Sequence, residues 1–280
     1  MGLYFRPARL DVALDALRER ALTILAGGTD FYPAHVGRPL CEDIMDITAV
    51  PELRGIEERA EHWRFGAATT WSELIHASLP PLFDGLVLAA REVGGHQIQN
   101  AGTLCGNVCN ASPAADGVPA LLALDARVEL CSARGVVIVP LEDFVLGSRS
   151  TRRAPDQLVT SLIVPKPAGR SLGHFLKLGS RKYLVISIVM ASAVIEADAA
   201  NRVASARVAV GACSPVARRL PALEAALIGL ETGGNLGSVV AAEHLSPLAP
   251  IDDVRGSADY RRDVALTVLR RLLDAIGSRA

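Results

Sequence analysis

Residues 102–116 read Gly-Thr-Leu-Cys-Gly-Asn-Val-Cys-Asn-Ala-Ser-Pro-Ala-Ala-Asp. They lie within a longer stretch, Val93 to Ala115, that contains no Lys, Arg, Asp or Glu but many glycines, asparagines and glutamines. A long uncharged loop is unusual inside a compact domain, and such loops are usually functional. We therefore expect this stretch to be a loop that binds a ligand.

Particular residues of this stretch suit a neutral, hydrogen-bonding site. Thr103, Asn107 and Ser112 offer uncharged polar groups, and glycines at 102 and 106 would let the main chain approach a ligand closely. Asp116 could accept hydrogen bonds from hydroxyls such as those of a ribose. The alternative is an Asn/Gly-rich surface loop that ends where Ser112-Pro113 starts a helix.

A second glycine loop follows an early β-rich run, Leu22–Leu25, in the segment Ile24-Leu25-Ala26-Gly27-Gly28-Thr29-Asp30-Phe31. Paired glycines after a strand allow a sharp turn whose N–H groups can contact a phosphate or pyrophosphate. A lone Gly-Gly pair is more often an ordinary turn. Two such loops in one chain favour the functional interpretation.

Neither loop has the G-x-G-x-x-G pattern of a Rossmann domain or the G-x-x-x-x-G-K-[ST] pattern of a P-loop. The residues alone thus predict a site of another architecture for a phosphate-bearing cofactor.

Composition excludes several other classes of protein. The chain has 280 residues with 29 Lys+Arg and 30 Asp+Glu, a net charge of −1, which argues against nucleic acid as the main partner. Half of the residues are hydrophobic, so the chain can bury a full core. The longest apolar run, Leu184 to Ile195, is too short to cross a bilayer. With no signal-peptide pattern at the N-terminus, we expect a soluble, cytoplasmic protein without membrane insertion.

The cysteines and histidines predict neither a metal site nor catalytic residues. No C-x-x-C pair occurs, so we expect no zinc or iron–sulfur site, and the cysteines are interpreted as small buried hydrophobes. The six histidines are scattered without a partner pattern of the Ser/His/Asp kind. The five cysteines are Cys41, Cys105, Cys109, Cys131 and Cys213.

Sequence patterns predict two segments of different organisation. A boundary is expected near 164–173, where two prolines and two glycines interrupt the pattern. After it, strands are followed by helices, which is typical of an α+β domain. Helices are predicted at 11–20, 71–77, 86–93, 113–124, 221–229, 236–243 and 259–276, and strands at 22–25, 43–47, 63–67, 127–131, 136–139, 174–178, 186–196 and 202–211.

At its two loops the chain resembles the FAD-binding (medium) subunits of the molybdenum hydroxylases, the family of xanthine dehydrogenase and carbon monoxide dehydrogenase. The family's A-G-G-x-[ST] loop corresponds to Ala26–Asp30, its T-I-G-G-N loop to Thr103–Asn107, and its N-A-S-P-x-x-D run to Asn110–Asp116. The likeness continues at Lys177–Lys182 and Pro250–Arg262, and so spans nearly the whole chain.

The resemblance implies an α+β fold and an FAD cofactor. Residues 1–168 would form a two-lobed FAD-binding domain of the vanillyl-alcohol-oxidase (PCMH) type, with lobes at about 1–55 and 56–168. Residues 169–280 would form a smaller C-terminal α+β domain of the CO dehydrogenase flavoprotein type, an antiparallel sheet with helices. The cofactor-binding residues it implies are Ile24, Leu25, Ala26, Gly27, Gly28, Thr29, Asp30, Phe31, Val93, Thr103, Leu104, Cys105, Gly106, Asn107, Asp116 and Lys177.

One residue departs from the family pattern. Cys105 stands where the family has the first glycine of its G-G pair. Cysteine tolerates positive φ poorly, so either this position is not left-handed here or the loop is re-aimed.

The resemblance also implies a role in electron transfer. The chain would be the flavoprotein subunit of a heterotrimer with a molybdenum-cofactor large subunit and a [2Fe-2S] small subunit. Electrons from the iron–sulfur clusters would pass through FAD to an acceptor such as NAD, oxygen or a quinone. The alternatives are a free-standing flavin-dependent oxidoreductase of the same fold and a scaffold subunit without redox activity. The substrate of the whole enzyme would be determined on the large subunit.

Overall fold

A small parallel sheet and two helices form the N-terminal layer of the computed structural model, which describes residues 2–280. The strand order is β1-β3-β2. The amphipathic helix α1 buries Ala13 and Leu17 while its charged residues face outward. The elements of this layer are β1 (Tyr4–Phe5), α1 (Leu10–Glu19), β2 (Thr23–Leu25), α2 (Phe31–Ala34) and β3 (Ile44–Asp46).

A five-stranded antiparallel sheet follows, in the order β4-β5-β10-β6-β7. Its core contains Trp63, Phe65 and Phe83, whose rings meet edge to face with centroids 5.0 and 5.4 Å apart. The elements are β4 (Ile56–Glu58), β5 (His62–Gly66), α3 (Trp71–His76), α4 (Asp84–Glu92), α5 (His96–Ala101), α6 (Leu104–Asn110), α7 (Gly117–Ala123), β6 (Arg127–Ser132), β7 (Gly135–Pro140), α8 (Leu141–Phe144), β8 (Val145–Gly147), β9 (Ser150–Thr151) and β10 (Leu158–Pro165).

The uncharged stretch 93–115 is not a continuous loop, so that prediction was wrong. It folds into α5 and α6, and one side chain from each helix or its cap makes hydrogen bonds that support the fold. The Gln99 side chain donates to the carbonyls of Arg91 and Val93, each at 3.2 Å, and the Thr103 hydroxyl caps α6 by accepting the Gly106 N–H at 3.0 Å.

The helix expected from 113 begins at Gly117 instead. Ala111 ends α6 in a left-handed conformation with φ 48°. Residues 112–116 then form a turn in which the Ala114 N–H donates to the Ser112 hydroxyl at 3.3 Å. The interpretation of Ser112-Pro113 as a helix start was therefore also wrong.

An antiparallel sheet with strand order β11-β12-β13-β14 and two helices form the C-terminal layer, which has its own apolar core. Helix α10 packs along this sheet and buries Leu269, Leu272 and Leu273. These antiparallel strands followed by helices agree with the α+β prediction. The elements are β11 (Arg170–Leu178), β12 (Val189–Ala197), β13 (Val203–Gly211), β14 (Arg218–Arg219), α9 (Pro221–Leu227) and α10 (Ala258–Gly277).

The helix predicted at 236–243 is two separate 3₁₀ turns, Leu236–Val239 and Ala242–Leu245. The first turn lies with its backbone directly on α10, since a Cβ at Gly237 would overlap the Arg270 carbonyl. The Gly237 N–H donates to Asp274 at 2.7 Å. The hydrogen bond and close packing with α10 thus take the place of the backbone hydrogen bonds that a continuous helix would form.

Helix α7 contacts β12, β13 and β14 of the C-terminal layer as well as α4, α6 and α8, and all of its residues are buried. At its carboxyl end Arg207 donates to the Ala123 carbonyl at 2.9 Å and Arg219 to the Leu122 carbonyl at 3.3 Å. These side chains satisfy carbonyls that a helix end leaves without partners. Whether 1–168 and 169–280 divide as independent domains stays a prediction.

Within residues 2–280, none of the helices combines the length and apolar character that crossing a bilayer requires.

Candidate functional site

A cleft of about 770 Å³ opens between the N-terminal layer and the wall formed by α3, α5, α6 and the β8–β9 hairpin. Its size lies within the range of cofactor sites, about 300–1,000 Å³. The predicted residues that line it are Ile24, Leu25, Ala26, Gly27, Gly28, Thr29, Asp30, Phe31, Val93, Thr103, Cys105, Gly106 and Asn107. The predicted residues outside the lining are Leu104, Asp116 and Lys177.

The first glycine loop turns sharply at the carboxyl end of β2. Gly28 has φ +69°, a left-handed conformation that favours glycine. A Cβ at Gly27 would overlap the carbonyl of Ala101, which ends α5. The glycines therefore serve close packing of the loop against the α5–α6 junction, in addition to any contact with a ligand.

This loop presents a row of free donors to the cleft. Among the described residues of the chain, 2–280, the backbone N–H groups of Gly27, Gly28, Thr29 and Asp30 have no acceptor. Successive N–H groups in a turn that includes a left-handed residue form a concave anion site. The fit to a phosphate-bearing ligand thus rests on unpaired main-chain donors.

The second predicted loop contributes the first turn of α6. Cys105 is helical and only 2% exposed, and it is absent from the residues with positive φ. Of the two alternatives for this departure, the first holds: the position is not left-handed. A Cβ at Gly106 would lie 2.7 Å from the Thr103 hydroxyl, so glycine at this position preserves the cap.

Asn107 has an acceptor available at the cleft wall. Its Oδ1 atom is buried and has no hydrogen-bond partner among the described residues. Buried polar atoms are nearly always paired, so an unpaired one at a cleft points to a missing ligand or water. A hydroxyl or N–H of a cofactor would satisfy it.

Two arginines line the cleft that the sequence analysis did not identify. Arg149 and Arg153 form no ion pair with any residue in 2–280; Arg149 donates to the Asn110 side chain, and Arg153 to the Gln157 carbonyl at 2.8 Å. The acid in the lining is Asp30. The cleft therefore favours an anion. Three arginines among residues 149–153 were the available signal.

A histidine also lines the cleft beside the glycine loop. His35 bonds to the Phe31 carbonyl at 2.7 Å and to Glu42 at 3.3 Å. The carbonyl bond, with the carboxylate, raises the pKa of His35 above its ordinary value. The protein therefore stabilises the protonated form of His35 relative to a free imidazole.

Two thiols lie one helical turn apart on α6. Cys109 is exposed to the cleft, yet the surrounding protein desolvates its thiol and raises its pKa to about 11. Burial also raises the pKa of Cys105 well above its usual range. Both groups are neutral thiols at pH 7, which makes them poor nucleophiles.

Asp116 and Lys177 are paired with each other. The Lys177 ammonium lies 2.7 Å from an Asp116 carboxylate oxygen, and their side chains are only 5% and 9% exposed. The Ser187 hydroxyl donates to the other oxygen at 2.5 Å. Their predicted role as cofactor ligands stays a prediction, as does that of Leu104, a fully buried core residue.

The models of two known protein families match the chain. "FAD binding domain in molybdopterin dehydrogenase" matches residues 1–167, and "CO dehydrogenase flavoprotein C-terminal domain" matches residues 174–276.

Relatives and solved structures agree over nearly the full length. A nicotine 6-hydroxylase medium subunit from Paenarthrobacter nicotinovorans is 29% identical and covers 99% of this chain and 97% of its own. A xanthine dehydrogenase FAD-binding subunit from Escherichia coli O157:H7 is 29% identical, covering 96% and 94%. A chain of carbon monoxide dehydrogenase from Hydrogenophaga pseudoflava superimposes with a TM-score of 0.88 at 28% identity, covering 100% and 98%.

These matches confirm the predicted fold class and the FAD cofactor. The chain belongs to the family of FAD-binding medium subunits of molybdenum hydroxylases, oxidoreductases of the xanthine dehydrogenase and carbon monoxide dehydrogenase type.

Proposed function

We propose that this chain transfers electrons within a molybdenum hydroxylase complex, with FAD bound in the cleft. The electrons would come from a [2Fe-2S] small subunit, fed by a molybdenum-cofactor large subunit, and would leave to NAD, oxygen or a quinone. The observation that carries the proposal is the row of unpaired N–H groups from Gly27 to Asp30 along the cleft. A heterotrimeric assembly and a cytoplasmic location belong to the same proposal.

The residues of the cleft have distinct tasks in this proposal. The N–H groups of 27–30 hold the pyrophosphate, while Arg149 and Arg153 balance its charge from the opposite wall. Asn107 Oδ1 accepts a hydrogen bond from the cofactor. Apolar side chains, among them Val93 and Ile98, exclude water from the rings.

Bound FAD supplies the chemistry that converts between one-electron and two-electron transfer, which no side chain of the cleft provides. The protein contributes position, electrostatics and control of access. Neutral thiols at Cys105 and Cys109 fill space beside the cofactor without adding charge.

The first test is the absorption spectrum of the purified chain, followed by heat release and chromatographic identification of any chromophore. We expect one FAD per chain, taken up again by the emptied protein. FMN and riboflavin should bind more weakly because they lack the pyrophosphate. A colourless chain that fails to take up added FAD would overturn the proposal.

The partners are tested by affinity purification of the tagged chain from its native source. We expect a very large subunit and a small subunit with cysteine-cluster motifs to co-purify. Recovery of the flavin-loaded chain alone would favour the free-standing oxidoreductase.

A further inference from the structure

His35 lies where the chain leaves α2 and turns back toward β3. Its Nδ1 atom is 2.7 Å from the Phe31 carbonyl oxygen, and its Nε2 atom is 3.3 Å from a Glu42 carboxylate oxygen. The Phe31 ring packs on the imidazole with centroids 4.3 Å apart. Glu42 also accepts a hydrogen bond from the Thr23 hydroxyl of β2 at 3.4 Å. His35 therefore connects the last residue of the glycine loop to the chain just before β3.

Both nitrogens of the imidazole face oxygen atoms that accept hydrogen bonds. A neutral imidazole has one N–H and one lone pair, so it can donate to only one of these oxygens. An imidazolium has two N–H groups and can donate to both. Because a carboxylic acid gives up its proton more readily than an imidazolium does, a proton shared with Glu42 resides on His35. The contacts of His35 therefore require its protonated form.

His35 and Phe31 both line the cofactor cleft, so the charge of the imidazole acts on an anion bound there. The other ionisable groups that face His35 belong to its own segment or to the cleft lining, and they are Glu42, Arg38, Asp30, Cys109, Arg149 and Arg153. Arginines keep their charge, and the pKa of the Cys109 thiol is about 11. Within this group the imidazole is the side chain whose ordinary pKa lies near neutrality.

We propose that protonated His35 is a positioning residue for the cofactor, which fixes Phe31 and the glycine loop against Glu42 and makes FAD binding depend on pH. The inference rests on the proposed function, because it takes FAD to occupy the cleft. When His35 loses its proton, the contact with Glu42 is lost and the cleft has one positive charge fewer to attract the pyrophosphate. FAD affinity therefore falls as pH rises.

The direction of the pKa shift agrees with this sign. The Phe31 carbonyl, and after it Glu42, raises the pKa of His35 above its ordinary value of 6.5. The contact with Glu42 is therefore present below pH 6.5 and lost as pH rises through the raised pKa.

The FAD dissociation constant, measured by flavin fluorescence titration of the emptied chain from about pH 6 to about pH 8.5, tests the proposal. We expect wild type to bind FAD about fivefold more weakly at the upper end, as the loss of one charged contact at a partly exposed site would produce. His35→Gln should bind as weakly as wild type does at the upper end, with little change across the range.

Glu42→Gln separates the contact from the charge. An amide at this position can donate an N–H to a neutral imidazole, so His35 no longer needs its second proton. NMR titration of the His35 ring should give a midpoint above pH 6.5 in wild type and a lower midpoint in the variant. The pH profile of FAD affinity should move in the same direction.

His76→Gln is the matched control. His76 bonds through Nδ1 to the Ser72 carbonyl, four residues earlier, at the same 2.7 Å, and it lies outside the cleft lining. This variant should keep both the FAD affinity and the pH dependence of wild type.

Three results would overturn the proposal. A midpoint of the His35 ring at or below pH 6.5 would mean that its contacts do not hold the proton. Wild-type FAD affinity that is constant with pH would mean that the charge does not act on the cofactor, and a wild-type profile in His35→Gln would assign the dependence to another group. Failure of the wild-type chain to bind FAD at any pH is a separate result, which overturns the proposed function and this inference with it.

Discussion

The absence of a Cβ at Gly27 determines how closely the glycine loop packs at the cleft. Its missing Cβ leaves room for the Ala101 carbonyl, so the turn after β2 rests on the α5–α6 junction. Both sides of this contact are backbone, which cannot move aside as a flexible side chain can. Sequence reasoning identified the loop but assigned the space of both glycines to a ligand.

We predict that Gly27→Ala weakens both the fold and the cofactor site. The added methyl must push the loop away from Ala101, a strain of about 1–3 kcal/mol. The N–H groups of 27–30 would move with it, so FAD affinity should fall. Urea unfolding and fluorescence titration measure the two effects.

Gly233→Ala is the matched control, because a Cβ there meets no atom within 4 Å. Its unfolding free energy should change by less than about 0.5 kcal/mol, with unchanged FAD affinity. Equal behaviour of the two variants would contradict the packing argument.

The burial of His174 leads us to predict that the unfolding free energy depends on pH. Its Nδ1 atom is buried without a partner in the described chain, near Arg279 and Asp84. Burial, helped by Arg279 and opposed by Asp84, lowers the pKa of His174 below its ordinary value of 6.5. The unfolded chain therefore binds a proton more readily, and stability contributed above pH 6.5 is lost as pH falls below it.

The test is urea unfolding from about pH 8 to about pH 5, with wild type and His174→Gln compared. The wild-type unfolding free energy should decline more steeply below pH 6.5 than that of the variant. Parallel pH profiles would remove His174 as the cause.

At the scale of elements, several longer strands and the charged amphipathic helices were predicted from the sequence, whereas the central strand β10 of the five-stranded sheet and the helices α5 and α6 were not. Strands such as β6 and β12 follow from β-rich runs bounded by turn residues. The helices α5 and α6 have no charged face, and the Gln99 amide of α5 donates inward to two backbone carbonyls. The uncharged polar sequence of α5 and α6 was therefore interpreted as a loop.

The sequence also does not indicate that Arg149 and Arg153 line the same cleft as the glycine loop, because their position depends on how the β8–β9 hairpin packs.

The carboxylate of Glu129 on β6 binds side chains from β5 and β10, and so connects three strands of the five-stranded sheet. Thr160 and Ser161 donate to its Oε1 atom at 2.6 and 2.9 Å, and Arg64 lies 3.4 Å away. Burial opposes ionisation, but these bonds outweigh it and lower the pKa of Glu129. Its stabilisation is therefore present at neutral pH and lost as pH falls through this lowered pKa.

We expect Glu129→Gln to cost about 1–3 kcal/mol of unfolding free energy at pH 7, because the amide satisfies fewer donors. The difference from wild type should shrink in acid as the native carboxylate is protonated. Glu58→Gln, whose ion pair with Lys166 is more exposed, is the control and should cost less. A constant difference across pH would contradict the role of the charge.

At the scale of the whole molecule, two apolar cores share one interface along α4 and α7. Helix α7 contacts both β12 and β13 of the C-terminal sheet. Gly173 meets Leu82 so closely that a Cβ would overlap the Leu82 carbonyl. Because of such contacts, each apolar core is shielded from solvent in part by the other.

We therefore predict that residues 1–168 produced alone aggregate, since they expose the side of α7 that β12 and β13 cover. Co-production with 169–280 should restore a single complex that binds FAD. Size-exclusion chromatography with absorbance at flavin wavelengths measures both. A monomeric, flavin-binding 1–168 fragment would contradict this dependence.

The burial of α7 also limits how such chains can be recombined. Its side facing β12 and β13 must match the strands that cover it, and its carboxyl end must match Arg207 and Arg219. In a hybrid that joins the first part of this chain to the last part of a relative, α7 would therefore pack against strands whose side chains do not match it. Exchange between relatives at the boundary near 168 should succeed only when α7 is taken from the same parent as the sheet that covers it.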